Sequence, residues 1–180
     1  NFTKQGVVLS PSAPFDFAGV DNPGLFKIGS KYYLTYNGED AGANRYDICL
    51  ASSSDLINWT KHGEILRQTN SWCSGRIKNG FIVPQKINGR YVMYFEGYST
   101  DPWKSKIGIA YCDSDAITNI NNWYEGCNQP ILSPRTGYFD SEGIRPAGTP
   151  VVLGDRILLF YNGWGPNHRV MMGWVAFSLD

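Results

Sequence analysis

A chain of 180 residues, 42% of them hydrophobic, is long enough to close one core, and its formal charge of zero leaves no electrostatic footprint for nucleic acid or an anionic membrane. No run approaches the roughly 20 apolar residues of a membrane helix, so nucleic acid and membrane insertion are set aside as partners. The chain opens at Asn1 without a signal-like segment, which fits a processed start.

In chain order the predicted elements repeat three times. A short strand at 7–9 is followed by repeats over about 13–62, 63–128 and 129–180. Each repeat carries an apolar stretch, a tight turn at Gly29-Ser30, Asn88-Gly89 or Gly154-Asp155, and then a signature strand. Those strands are Tyr33-Leu-Thr-Tyr-Asn-Gly38, Val92-Met-Tyr-Phe-Glu-Gly97 and Leu158-Leu-Phe-Tyr-Asn-Gly163. Third strands follow at 47–52, 107–112 and 171–177, and the first two repeats continue to Asn58-Trp59 and Asn122-Trp123. β-branched and aromatic residues fill these runs, Gly, Asn, Asp and Ser fill the turns, and no window keeps a helical period. The expected fold is an all-β propeller of three four-stranded blades in one domain, its last blade completed by strand 7–9. Because three blades are few for such a ring, a homodimer of six blades and a longer parent chain both stay open.

Four cysteines, Cys49, Cys73, Cys112 and Cys127, lack zinc spacing. Disulfides Cys112–Cys127 and Cys49–Cys73 are expected, with four free thiols as the alternative. Together with sequons at Asn1 and Asn58 they point to a secreted protein.

In such a ring the inner strands would bring Asp21-Asn22, Lys78-Asn79 and Arg145 to the axis. Fixed carboxylate, amide and cationic groups suit a polyhydroxylated or anionic ligand, although the same groups could pair with each other and close the channel. Trp72, Trp103, Trp164 and Tyr98 are candidates to stack on a sugar ring, whereas Trp59 and Trp123 fit the core. Cleavage of a glycosidic bond needs two carboxyl groups, for which Asp21 and Glu142 are the first pair. Asp16, Asp140 and Glu96 are lesser candidates, and any of these acids could instead cap a turn or pair with Arg76, Arg145 or Lys78. His62 and His168 stand without a nucleophile motif, and no phosphate loop is present, so no triad, cofactor or metal is expected.

Val20-Asp-Asn-Pro-Gly-Leu25, Lys78-Asn-Gly-Phe-Ile-Val-Pro-Gln-Lys-Ile-Asn-Gly89 and Phe139-Asp-Ser-Glu-Gly-Ile-Arg145 resemble glycoside hydrolase family 130, the mannoside phosphorylases and hydrolases, and more distantly families 43 and 32. The resemblance implies a five-bladed furanosidase-like propeller with an axial site for mannosides. It also implies changes in that site: Asn22 stands where the family's catalytic aspartate falls, Asn79 replaces an aspartate, and Asn162 replaces a phosphate-holding histidine. Lys78 and Arg145 remain of the anion-binding set. An amide cannot donate the aspartate's proton. The expected function is therefore a secreted, lectin-like glycan binder, with two alternatives: a glycoside hydrolase using Asp21 and Glu142, or a structural or protein-binding module.

Overall fold

The computed structural model describes residues 3–4, 6–40, 42 and 45–179. The sequon at Asn1 lies outside them. The strands are β1 (Gly19–Ile28), β2 (Lys31–Asp40), β3 (Arg45–Ser53), β4 (Thr60–Leu66), β5 (Arg76–Ile82), β6 (Tyr91–Tyr98), β7 (Lys106–Cys112), β8 (Trp123–Glu125), β9 (Gly143–Pro146), β10 (Val151–Leu153), β11 (Arg156–Trp164) and β12 (Val170–Ser178). They form three antiparallel sheets of four strands, β1-β2-β3-β4, β5-β6-β7-β8, and a third in which β9 and β10 both pair with β11, which pairs in turn with β12. The hairpin turns match their residues: Asn88 and Gly89 both take positive φ, as a two-residue hairpin turn requires.

The period-two alternation of β6 decides the stacking of the sheets. Tyr91, Met93 and Phe95 point into a cluster shared with Ile48 and Leu50 of the first sheet. Val92 and Tyr94 point the other way, into a cluster with Leu159 and Tyr161 of the third. The second sheet is thus buried on both faces. On the third sheet, Met172 and Trp174 of β12 are 71% and 65% exposed, so its outer face is uncovered.

The three blades share a close approach at their signature glycines. A Cβ on Gly38 would lie 3.3 Å from Asp16 Cβ, one on Gly97 would lie 2.6 Å from Cys73 Cβ, and one on Gly163 would lie 2.5 Å from Asp140 Cβ. Glycine closes each signature strand because the segment entering the blade passes directly over it. Where the signature carries tyrosine, that segment carries an aspartate to bond it: Tyr36 Oη donates to Asp16 Oδ2 at 3.3 Å, and Tyr161 Oη donates to Asp140 Oδ2 at 2.9 Å. Where the signature carries Phe95, the segment carries Cys73, which needs no such partner. Lys61 and Arg135 complete the two aspartate clusters. Asp16 and Asp140, two of the lesser acid candidates, are accordingly buried latches of the first and third blades.

Two expectations are corrected. Residues 7–9 form no strand and do not complete the third sheet; Leu9 packs with Phe15 over Tyr36, Cys49 and Ala51, covering the apolar outer face of the first sheet. The third blade therefore has three strand positions, its inner one split into β9 and β10. The disulfides are also absent: Cys49, Cys73 and Cys112 are buried thiols and Cys127 is an exposed one. Each buried thiol sits among local partners, Cys73 Sγ 3.4 Å from Asn70 O and Cys112 Sγ 3.2 Å from Ser114 O. Burial pushes the Cys73 thiol up to about 12, with Glu125 adding to the effect.

Candidate functional site

The inner strand of each sheet meets its signature strand in the same register. Asp21 lies opposite Asn37, Lys78 opposite Glu96, and Arg145 opposite Asn162. The first two strands then break pattern at a bulge, between Asp21 and Gly24 and between Lys78 and Phe81. Asn22 and Asn79 occupy these bulges at φ 50° and 52°, a left-handed conformation that asparagine tolerates better than most residues. The third inner strand breaks after Pro146 instead. From its far side, Thr149 Oγ1 donates to Leu25 O at 2.9 Å, tying the third inner strand to the first.

These breaks bring the three sheets around one cavity of about 310 Å3, lined by Asp21, Asn22, Lys78, Asn79, Glu96, Tyr98, Pro102, Trp103, Arg145 and Trp164. A sugar-sized ligand needs a space of this order, about 300–1,000 Å3 in typical sites. Lys78 Nζ sits 3.7 Å above the ring of Tyr46, with the Arg76 guanidinium 4.5 Å from the same ring. Burial lowers the affinity of Lys78 for its proton, while Asp21 and Glu96 act to restore it. Arg145 lies 5.6 Å over the ring of Trp164.

Glu96 forms the most buried part of the wall. It is 4% exposed, and its Oε2 accepts from Asn79 Nδ2 at 2.5 Å. Asn79 is fixed in turn, its backbone N–H donating to Asn37 Oδ1 at 2.8 Å. Burial raises the affinity of Glu96 for a proton; Ser105, Arg145, Lys78 and Asn79 oppose it by favouring the ionised form.

The two tryptophans divide their roles. Trp103 is 46% exposed on the rim, its backbone N–H held by Asp101 Oδ1 at 2.8 Å. Trp164 is buried, meets Trp103 edge-on at 5.8 Å, and donates its ring N–H to Trp103 O at 2.9 Å. With Arg145 over its face, Trp164 supports the wall, while Trp103, whose ring packs against His168 at 4.2 Å between centroids, keeps its remaining surface exposed at the rim. Trp72 is elsewhere, stacked on Phe95 at 5.8 Å against the core.

The structure does not bring Glu142 to Asp21 in this cavity. The Glu142 carboxylate pairs with Lys104, and its backbone N–H donates to Trp164 O at 2.9 Å, so it braces the neck of the third blade. Asn162 is half-buried on β11 and is not among the lining residues. Tyr46 and Pro102 join the surroundings of the site without a signal in the sequence motifs. The position of Glu96 is marked by its register with Lys78, the counterpart of Asp21 with Asn37. Among the described residues no cluster of His, Cys, Asp and Glu has the makings of a metal centre.

Residues 1–177 match the family described as β-1,4-mannooligosaccharide phosphorylase, glycoside hydrolase family 130. The chain is 32% identical over 174 residues, 96% of its length and 52% of the relative's, to a 1,2-β-oligomannan phosphorylase of Thermoanaerobacter sp. (strain X514). It is 34% identical over 174 residues, 96% of its length and 51% of the relative's, to a β-1,2-mannobiose phosphorylase of the same organism. In fold it is similar to the β-1,2-mannobiose phosphorylase of Listeria innocua solved with β-1,2-mannobiose, at a TM-score of 0.78 and 20% identity, covering 98% of this chain and 45% of that one. The chain spans about half the length of the relatives it matches. With three blades superposing on that fold and the match running through nearly every residue, this chain belongs to glycoside hydrolase family 130.

Proposed function

We propose that this chain binds a β-mannoside in the cavity between its three inner strands. The observation that carries this reading is the convergence of Asp21, Lys78 and Arg145, three register-equivalent residues from three sheets, on one sugar-sized space with a partly exposed indole at its rim. Carboxylate and amide oxygens accept from sugar hydroxyls, Lys78 and Arg145 donate to them, and Trp103 supplies an apolar face for the C–H side of a pyranose. A glycan-binding role fits this set better than hydrolysis by Asp21 with Glu142, since the Glu142 carboxylate is engaged by Lys104 outside the cavity.

The test is calorimetric titration with β-1,2-mannobiose, the ligand of the Listeria relative's solved complex. Saturable binding is expected, weakened roughly tenfold, or by about 1.4 kcal/mol, in Trp103→Ala. Binding that is absent, or unchanged by both Trp103→Ala and Lys78→Ala, would refute the assignment of this cavity.

A further inference from the structure

Two carboxyl groups line the cavity, and their settings differ. Asp21 is exposed to water, whereas Glu96 is buried behind Lys78 and Arg145 yet still reaches the cavity wall. Asn79 holds one oxygen of Glu96 in place, while the neighbouring Ser105 donates its hydroxyl to Ile144 O at 2.9 Å. Lys78 faces it from β5, Arg145 from β9, and Tyr98 stands two residues along its own strand. Burial favours the protonated form of Glu96, whereas Asp21, which lines the same cavity, is exposed. One buried and one wet carboxyl on a single cavity is the kind of difference that separates acid and base roles in glycosidic cleavage.

We infer that Glu96 is the proton donor for cleavage of a glycosidic bond held in this cavity, an inference that rests on the cavity binding a glycoside. In the step, the Glu96 carboxyl O–H gives its proton to the glycosidic oxygen as the bond from that oxygen to the anomeric carbon breaks. A water molecule adds to the anomeric carbon and loses a proton to the Asp21 carboxylate. The products are the free sugar and the departing alcohol; Asp21 then releases its proton to solvent and Glu96 takes one up. Asn22 cannot fill the donor's role, because an amide has no proton of suitable acidity, and Glu142 is held outside by Lys104.

The experiment compares wild type with Glu96→Gln on three probes: binding of β-1,2-mannobiose by calorimetry, release of mannose from it, and release of dinitrophenol from dinitrophenyl β-mannoside. The expected result is mannose release by wild type and a loss of about 100-fold or more in Glu96→Gln, with affinity kept within a few-fold. Because dinitrophenol leaves without a proton, its release should be nearly equal in the two proteins, a pattern that a merely structural role would not produce. If wild type binds mannobiose but releases no mannose from it, or Glu96→Gln cleaves it as fast as wild type, the donor assignment is wrong while the binding site stands. If wild type neither binds nor cleaves, the binding site itself is wrong. Should Glu96→Gln fail to fold, Glu96→Asp takes its place: slowed release of mannose with dinitrophenol release unchanged supports the donor, and mannose release equal to wild type overturns it.

Discussion

Replacing Gly97 by alanine tests the threefold construction in the middle blade. The added Cβ would lie 2.6 Å from Cys73 Cβ and 2.7 Å from the Trp72 ring, where carbon atoms prefer about 3.5–4.0 Å. Neither neighbour can retreat easily, since Cys73 is fully buried and Trp72 is packed between Gly97, Phe95 and Gly108. Forcing a methyl group into a packed core costs about 1–3 kcal/mol, and with both neighbours pinned the upper end, ~3 kcal/mol, is expected. For a domain of this size each kcal/mol lowers Tm by about 2–4 °C, so Gly97→Ala should melt ~6–12 °C below wild type. Thermal unfolding followed by circular dichroism, together with urea midpoints, measures this. Gly148→Ala is the control, because a Cβ there meets nothing within 4 Å. If Gly97→Ala melts within about 1 °C of that control, the close approach of the entering segment to the signature strand is not real.

Asp47 should make stability fall with rising pH. Burial, reinforced by Glu64 and opposed by Arg45, lifts its carboxyl from the ordinary 3.8 to about 6. The native state therefore binds this proton more tightly than the unfolded chain. Its contribution is fully present only below about pH 4 and is lost as pH rises through about 6, roughly 3 kcal/mol in all at 1.36 kcal/mol per unit. Asp47→Asn should remove that slope, read from urea midpoints of both proteins between pH 4 and 7. The latch of the first blade has the opposite sign: although burial resists it, Lys61 and the Ser12 and Ala13 amides hold Asp16 below the ordinary carboxylate range. Its stabilisation is present above about pH 4 and fades as acid protonates it. Lys61→Met leaves that carboxylate buried with Tyr36 and two amides for partners, and should cost about 3 kcal/mol. The double variant with Asp16→Asn should cost less than Lys61→Met alone, and a double-mutant cycle showing simple additivity would disprove the pairing.

Repeat, strand and turn were legible because each is a local property of the chain. Alternation in the signature strands and asparagine with glycine in the turns fix hairpins without reference to distant residues. The same repeat placed Asp21, Lys78 and Arg145 at equivalent positions, since a constant register carries them to the same level of each blade. Cysteine pairing and the path of residues 7–9 were not legible. Which thiols approach each other, and which exposed apolar face a free segment covers, depend on the packing of sheets far apart in sequence. The acids show the same division. From the sequence, Glu142 pairs first with Asp21, and Asp16, Glu96 and Asp140 stand behind it as lesser candidates. Neighbours alone separate them: Tyr36 with Lys61, Tyr161 with Arg135, and Lys104 hold three of them in structural pairs, and Glu96 is left on the cavity wall. The amino-acid order by itself determined the blades and the level at which each polar side chain sits. Only the tertiary structure decided what each carboxyl group does, because desolvation and charge pairing act through space rather than along the chain.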